Sequence, residues 1–83
     1  MLKDKKISDS RREAFLDIAE ELFADLGYEN TSIDRLISRL GVSKGAFYHY
    51  FRSKSDLLDS TLDRILTRVE TRFAEILESQ DPA

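Results

Sequence analysis

The chain has no cysteine, one histidine and one proline in 83 residues. Without cysteine there is no disulfide staple and no thiolate metal site, so a disulfide scaffold is excluded. His49 stands alone, so neither a Cys–His pair nor a multi-histidine metal site can be built. The three glycines, Gly27, Gly41 and Gly45, do not form a glycine-rich phosphate loop. Long apolar runs are also missing. The amino terminus, Met1-Leu2-Lys3-Asp4-Lys5-Lys6, is charged and no apolar run follows it, so neither a secretory signal nor a membrane span is read here. A soluble cytoplasmic protein is the expectation. The acidic groups Glu20, Glu21 and Asp25, and likewise Asp56, Asp59 and Asp63, fall at helical spacings that suit solvated faces and helix-dipole partners. No catalytic residue, cofactor or metal ligand is assigned, and an enzyme is not expected.

What remains is a short, charged chain with helical periodicity. Its length allows one domain, with a core that is adequate but not generous. The net charge of −3 argues superficially against a nucleic-acid partner, but the charge is unevenly spread. Residues 1–54 hold ten Lys/Arg against nine Asp/Glu, whereas residues 55–83 hold three against seven. From Arg35 to Ser55 there is no acidic residue, while Arg35, Arg39, Lys44, Arg52 and Lys54 supply five positive charges. A local patch governs contact with DNA more than the global sum does.

The order of elements follows from caps and apolar spacing. Residues 1–8 are charged and lack periodicity, which reads as a mobile arm. A first helix is expected from Asp9 or Ser10, where Ser10-x-x-Glu13 forms a capping box. Phe15, Ile18, Ala19, Leu22, Phe23 and Leu26 then make one apolar stripe that closes at Gly27. Thr31 offers the next N-cap, with Asp34 three residues on. Ile33, Leu36, Ile37 and Leu40 form the buried face of a helix about two turns long, too short to stand alone. The last helix starts after Ser53, with Asp56 completing a cap-like pair. Leu57, Leu58, Leu62, Ile65, Leu66, Val69, Phe73, Ile76 and Leu77 carry its period almost to Gln80, and Asp81-Pro82 should end it. The preceding helices can cover only its first half, so Val69, Phe73, Ile76 and Leu77 are expected to lack a partner.

The informative stretch lies between these helices. Gly41 stands where one apolar pattern stops, in a position that suits a left-handed backbone, and Ser43 is placed to cap the helix that follows. Two helices across so short a glycine-containing turn form a helix-turn-helix, whose second helix can enter the major groove of DNA. Phe47 and Phe51 would anchor that helix to the core, leaving Lys44, Tyr48 and His49 outward and Tyr50 at the boundary. Cations and tyrosine hydroxyls on one surface suit a phosphate backbone. Gly45 inside this short helix costs roughly 1 kcal/mol relative to alanine. It reads either as tolerated helix strain or close packing against a neighbouring helix, or as a missing side chain that lets the backbone approach the groove floor, and the last is favoured because the core face runs through Phe47 and Phe51.

The run Gly41-Val42-Ser43-Lys44-Gly45-Ala46-Phe47-Tyr48-His49-Tyr50-Phe51, followed by Ser53-Lys54 and Leu57-Leu58, resembles the DNA-binding head of the tetracycline-repressor (TetR) family. Upstream, Leu22-Phe23-Ala24, Gly27-Tyr28 and Thr31-Ser32-Ile33 fit the same head, so the likeness covers about residues 12–58. It implies an all-α bundle: an arm over 1–8, a three-helix head over 9–53, and a long fourth helix over 54–80. In that family the fourth helix leads to a ligand-binding and dimerisation domain, which is not expected within these 83 residues. The resemblance implies DNA contacts from Thr31, Ser32, Ser43, Lys44, Gly45, Ala46, Tyr48, His49, Tyr50 and Lys54. The function it implies is that of a sequence-specific regulator, a repressor by family likeness.

The implied partner is double-stranded DNA carrying a palindromic operator. A homodimer is expected of a full-length form, and a monomer or weak dimer of this chain alone. No small-molecule inducer is expected to bind this segment. The competing reading is a small helical protein-interaction module that uses the apolar face of the last helix.

Overall fold

In the computed structural model, the backbone of residues 2–79 and the side chains of residues 10–79 are described. Four helices follow one another, α1 (Leu2–Leu26), α2 (Ile33–Leu40), α3 (Lys44–Tyr50) and α4 (Lys54–Ser79), and the described residues contain no strand. The all-α class and the helix order match the reading of the sequence. The start of α1 does not. The helix runs unbroken from Leu2 rather than beginning at Asp9 or Ser10. No glycine or proline occurs before Gly27, and the lysines at 3, 5 and 6 are good helix formers. Ser10 therefore lies inside the helix and cannot cap it, and Glu13 instead reaches across to Arg64. Met1 and the expected stop at Asp81-Pro82 lie outside the described residues.

Each junction between helices is closed by a local device. Gly27 takes φ +86°, and its amide donates to the Phe23 carbonyl at 2.9 Å, ending α1. The N-cap of α2 is Ser32, not Thr31: the Ser32 hydroxyl accepts from the Arg35 amide at 3.0 Å. Thr31 is fully buried, and its hydroxyl points to the carbonyls of Gly27 (2.8 Å) and Leu22 (3.2 Å). It ties the α1–α2 loop to the end of α1, a role its position one residue too early could not reveal. Gly41 ends α2 at φ +68°, with the Val42 amide donating to the Ile37 carbonyl at 3.1 Å. Ser43 caps α3 through the Ala46 amide at 3.2 Å. At α4 the pairing is reciprocal: Ser53 Oγ accepts from the Asp56 amide at 3.0 Å, and the Asp56 carboxylate accepts from the Arg52 amide at 2.8 Å.

The core is built on one side of α1. Phe15, Leu16, Ile18, Ala19 and Leu22 are buried together with Leu36 of α2, Phe47 of α3, Phe51 of the α3–α4 loop and Leu57 of α4. Phe15 is its centre, with edge-on contacts to Phe47 at 5.7 Å and Phe51 at 5.8 Å, and a tilted one to Tyr50 at 6.0 Å. Helix α2, at eight residues, is held by this core and by its caps rather than by propensity. On α4 only Leu57 and Thr61 are buried. Leu62, Leu66, Val69, Phe73, Ile76 and Leu77 are exposed, Phe73 by 62 %. The bare stripe thus begins at Leu62, about two turns ahead of the expected start at Val69.

Polar contacts join α1 to α4 where the apolar core runs out. Arg64 pairs with Glu20, with Glu13 at 2.6 Å and with Asp17 at 2.9 Å, and Arg68 reaches Glu20 at 3.1 Å. Arg12 adds a bond to the Ser60 hydroxyl at 3.2 Å and lies over the Phe51 ring. The Arg68 hydrogen bond, followed by those of Arg64, holds the Glu20 carboxyl below the ordinary carboxylate range, although partial burial pulls the other way. For Arg64, burial opposes the charge, but the bonds to Glu20, Glu13 and Asp17 outweigh it and raise its pKa. Glu20, expected on a solvated face, is therefore structural.

Two outcomes follow. Thr31→Val keeps the shape but removes the donor shared by two carbonyls, so urea unfolding should show a loss of about 1–2 kcal/mol. A variant as stable as the parent would refute the buried role. Glu20 has a folded pKa below its unfolded value, so its contribution is full above the ordinary carboxylate range and is lost as pH falls through the folded value. Glu20→Gln should accordingly melt below the parent near pH 7, with the gap closing as pH drops below about 4. A gap that stays constant with pH would contradict this origin.

Candidate nucleic-acid interface

Helix α3 is seven residues long and presents two unlike faces. Phe47 is fully buried and fixes the inner face. Phe51, expected on the same helix face, lies just beyond the helix as its C-cap in extended conformation (φ −135°, ψ 142°). It still reaches the core, because leaving the helix turns the chain inward, and the two rings lie 5.7 Å apart. Phe47 is the one residue of α3 that is buried. Lys44, Gly45, Tyr48 and His49 are all exposed, Tyr48 by 50 %. The Tyr48 ring stands edge-on to Phe47 at 5.1 Å, which gives it a firm base, and His49 stacks edge-on to Tyr50 at 4.7 Å. Tyr50 is half-buried against Phe15.

Space around Gly45 bears on the close-packing reading. A methyl group there would meet only Ser43 Oγ, at an ordinary 3.7 Å, so no neighbouring helix requires glycine at this position. Close packing is excluded, and the opening toward solvent remains as the consequence of the missing side chain. Ala46 is half-buried, with its amide taken by the Ser43 cap. Ser32 and Ser43 are exposed at the starts of α2 and α3, and the hydroxyl of each accepts from its own helix. Thr31 does not join this surface, since its side chain is sealed in the core.

The cations are less independent than their spacing implied. Lys54 donates to the Tyr28 carbonyl at 2.8 Å and sits 4.2 Å from the centre of the Tyr28 ring. Arg39 pairs with Glu21 at 2.8 Å, and Lys44 with Asp34 at 3.2 Å. The segment free of acids along the chain is thus met in space by acids from α1 and from the first turn of α2. Asp34 in particular shares the outer surface with Lys44, Tyr48, Ser32 and Lys54, around a shallow hollow of about 270 Å³. The i-to-i+10 relation of Asp34 and Lys44 crosses a turn, and no helical periodicity announces it.

Among the described residues no helix is long and apolar enough to cross a membrane. Residues 15–61 match the family described as "Bacterial regulatory proteins, tetR family". An HTH-type transcriptional regulator of Staphylococcus aureus (strain bovine RF122 / ET3-1) is 35 % identical over 72 residues, covering 87 % of this chain and 39 % of that protein. Another, from S. aureus strain USA300, is 38 % identical over 76 residues, covering 92 % and 40 %. The chain therefore spans about two fifths of the length of the curated relatives it matches. No solved structure matches it. The matched segment begins at Phe15, the centre of the core, and ends at Thr61, the last buried residue of α4, so the likeness covers the whole unit that carries α3: the chain belongs to the tetR family of bacterial regulatory proteins.

Proposed function

We propose that this chain binds double-stranded DNA as the head of a transcriptional regulator, with α3 in the major groove. One observation carries the reading. Helix α3 is pinned through Phe47 to the core, while its opposite face offers Lys44, Gly45, Tyr48 and His49 to a partner. In the helix-turn-helix mode, residues at the start of the second helix meet base edges and those around it meet phosphates. Lys44 and the open backbone at Gly45 are placed for the first task. Ser32, Ser43, His49 and Tyr50 are assigned to the second and Tyr48 to either, with Ala46 half-buried beside them. Lys54 keeps two of its three N–H donors after bonding Tyr28, enough for a phosphate oxygen.

A regulator of this kind acts in the cytoplasm on a palindromic operator, bound as a dimer whose half-sites lie about 34 Å apart, and repression is the mode proposed. The apolar stripe of α4 would by itself support only a monomer or weak dimer, because association consumes most of the gain from burying so narrow a face. That same stripe, from Leu62 to Leu77, is also the observation that favours the second reading, a helical protein-interaction module.

Titration of a labelled duplex at 20 and 150 mM salt separates the two. Binding that weakens steeply with salt supports the first, and no binding at the lower salt supports the second. On the first reading, Lys44→Ala should relax base preference, whereas Lys54→Ala should weaken all duplexes alike and reduce the salt slope by about one unit. Equal losses on preferred and random duplexes for both variants would refute that division. Gly45→Ala meets no steric obstacle and removes a helix-breaking residue, so it should leave the melting temperature equal or higher while weakening the preferred duplex. A variant that melts earlier and binds normally would be the contrary result.

A further inference from the structure

The Lys44–Asp34 pair sets an anion beside the first residue of α3, on the surface proposed for DNA. Asp34 is 76 % exposed and Lys44 58 % exposed, with Nζ and Oδ1 3.2 Å apart. No core contact requires an acid there. The first-turn position favours negative charge, but that would be met equally by an aspartate pointing away from α3. Instead its carboxylate stands beside Lys44 at the rim of the hollow that Tyr48 and Ser32 also line.

We infer that Asp34 is a specificity-determining residue of the DNA face: it holds Lys44 away from the phosphates of unselected duplex and releases it where base edges satisfy both side chains. This rests on the DNA-binding reading above. An ammonium attracted to any phosphate gives affinity without discrimination. Pairing with Asp34 lowers that attraction, and the carboxylate itself is repelled by a phosphate brought close to it. In the major groove the two groups have complementary partners. Lysine donates to guanine O6 and N7, and aspartate accepts from the cytosine amino group. A site that offers both recovers the cost of parting the pair, and a random one does not. The discrimination thus arises from a penalty on wrong sequences rather than from an added attraction to the right one. The size is bounded, because an exposed pair of this kind changes an equilibrium by about fivefold at most.

The test uses fluorescence anisotropy with two 20-base-pair duplexes, one of random sequence and one selected from a random pool by the unaltered chain. Asp34→Asn should bind the random duplex about three- to fivefold more tightly at low salt, with a salt slope steeper by up to one unit. Its affinity for the selected duplex should rise less or fall, so the ratio between the two narrows. The gain on random DNA should shrink in a Lys44→Ala background, where only the relief of the carboxylate's own repulsion remains. Because Asp34 is outside the core, circular dichroism of the variant should be unchanged. An unchanged ratio, or an equal gain with and without Lys44, overturns this inference and leaves DNA binding intact. Failure of the unaltered chain to bind any duplex at low salt overturns the DNA-binding reading, and this inference with it.

Discussion

The position of α3 depends on Phe15. Seven residues are too few to hold a helix in water, and α2 before it is hardly longer. What fixes α3 is the fit of Phe47 and Phe51 edge-on against the Phe15 ring, with Tyr50 closing the side. Edge-to-face aromatic packing is directional as well as apolar, so it sets the rotation of the short helix and not merely its depth. That rotation determines which residues look out. With Phe47 inside, Gly45 and His49 lie opposite it, Tyr48 lies to one side, and Lys44 is left exposed at the start of the helix. Truncation of Phe15 would therefore be felt at a surface it never reaches.

A second constraint comes from charge. The apolar core ends on α4 at Thr61, and beyond it the helix is attached to α1 by Arg64 and Arg68. Three carboxylates a turn or less apart on α1 share one partly buried guanidinium, which leaves the cation no alternative partner of equal quality. Acidic charge on α1 thereby serves the α1–α4 contact, on residues other than those of the outer face of α3. Where acids do meet the outer face, at Glu21 with Arg39 and at Asp34 with Lys44, they moderate the cations available to a polyanion. The net charge of the chain is the sum of these separate arrangements and predicts none of them.

The caps divide into those that work through one residue and those that need a neighbourhood. Gly27 and Gly41 adopt positive φ, a backbone state that few other residues tolerate, so a glycine after an apolar stripe is itself an adequate sign of the helix end. Ser43 and Ser53 likewise bond amides three residues ahead, within their own segment. Thr31 and Ser32 are adjacent and chemically alike, yet one is a core donor and the other the cap. The burial that separates them comes from the end of α1, whose Leu22 carbonyl accepts from the Thr31 hydroxyl.

The sequence by itself determined the local elements: four helices, their glycine ends, the serine caps of α3 and α4, the anchoring of α3 by two phenylalanines and the outward set Lys44, Tyr48 and His49. These depend on interactions within about five residues or on periodicity along one helix, which a linear string records. It misplaced the start of α1, because Ser10 and Glu13 have the spacing of a cap and spacing does not reveal whether a helix already precedes it. Tertiary structure alone decided the partners. It assigned Glu13, Asp17 and Glu20 to Arg64, Lys54 to Tyr28, Thr31 to the core and Asp34 to Lys44. Each of those pairings joins residues on different helices or across a turn, so it exists only after the core has brought the helices together.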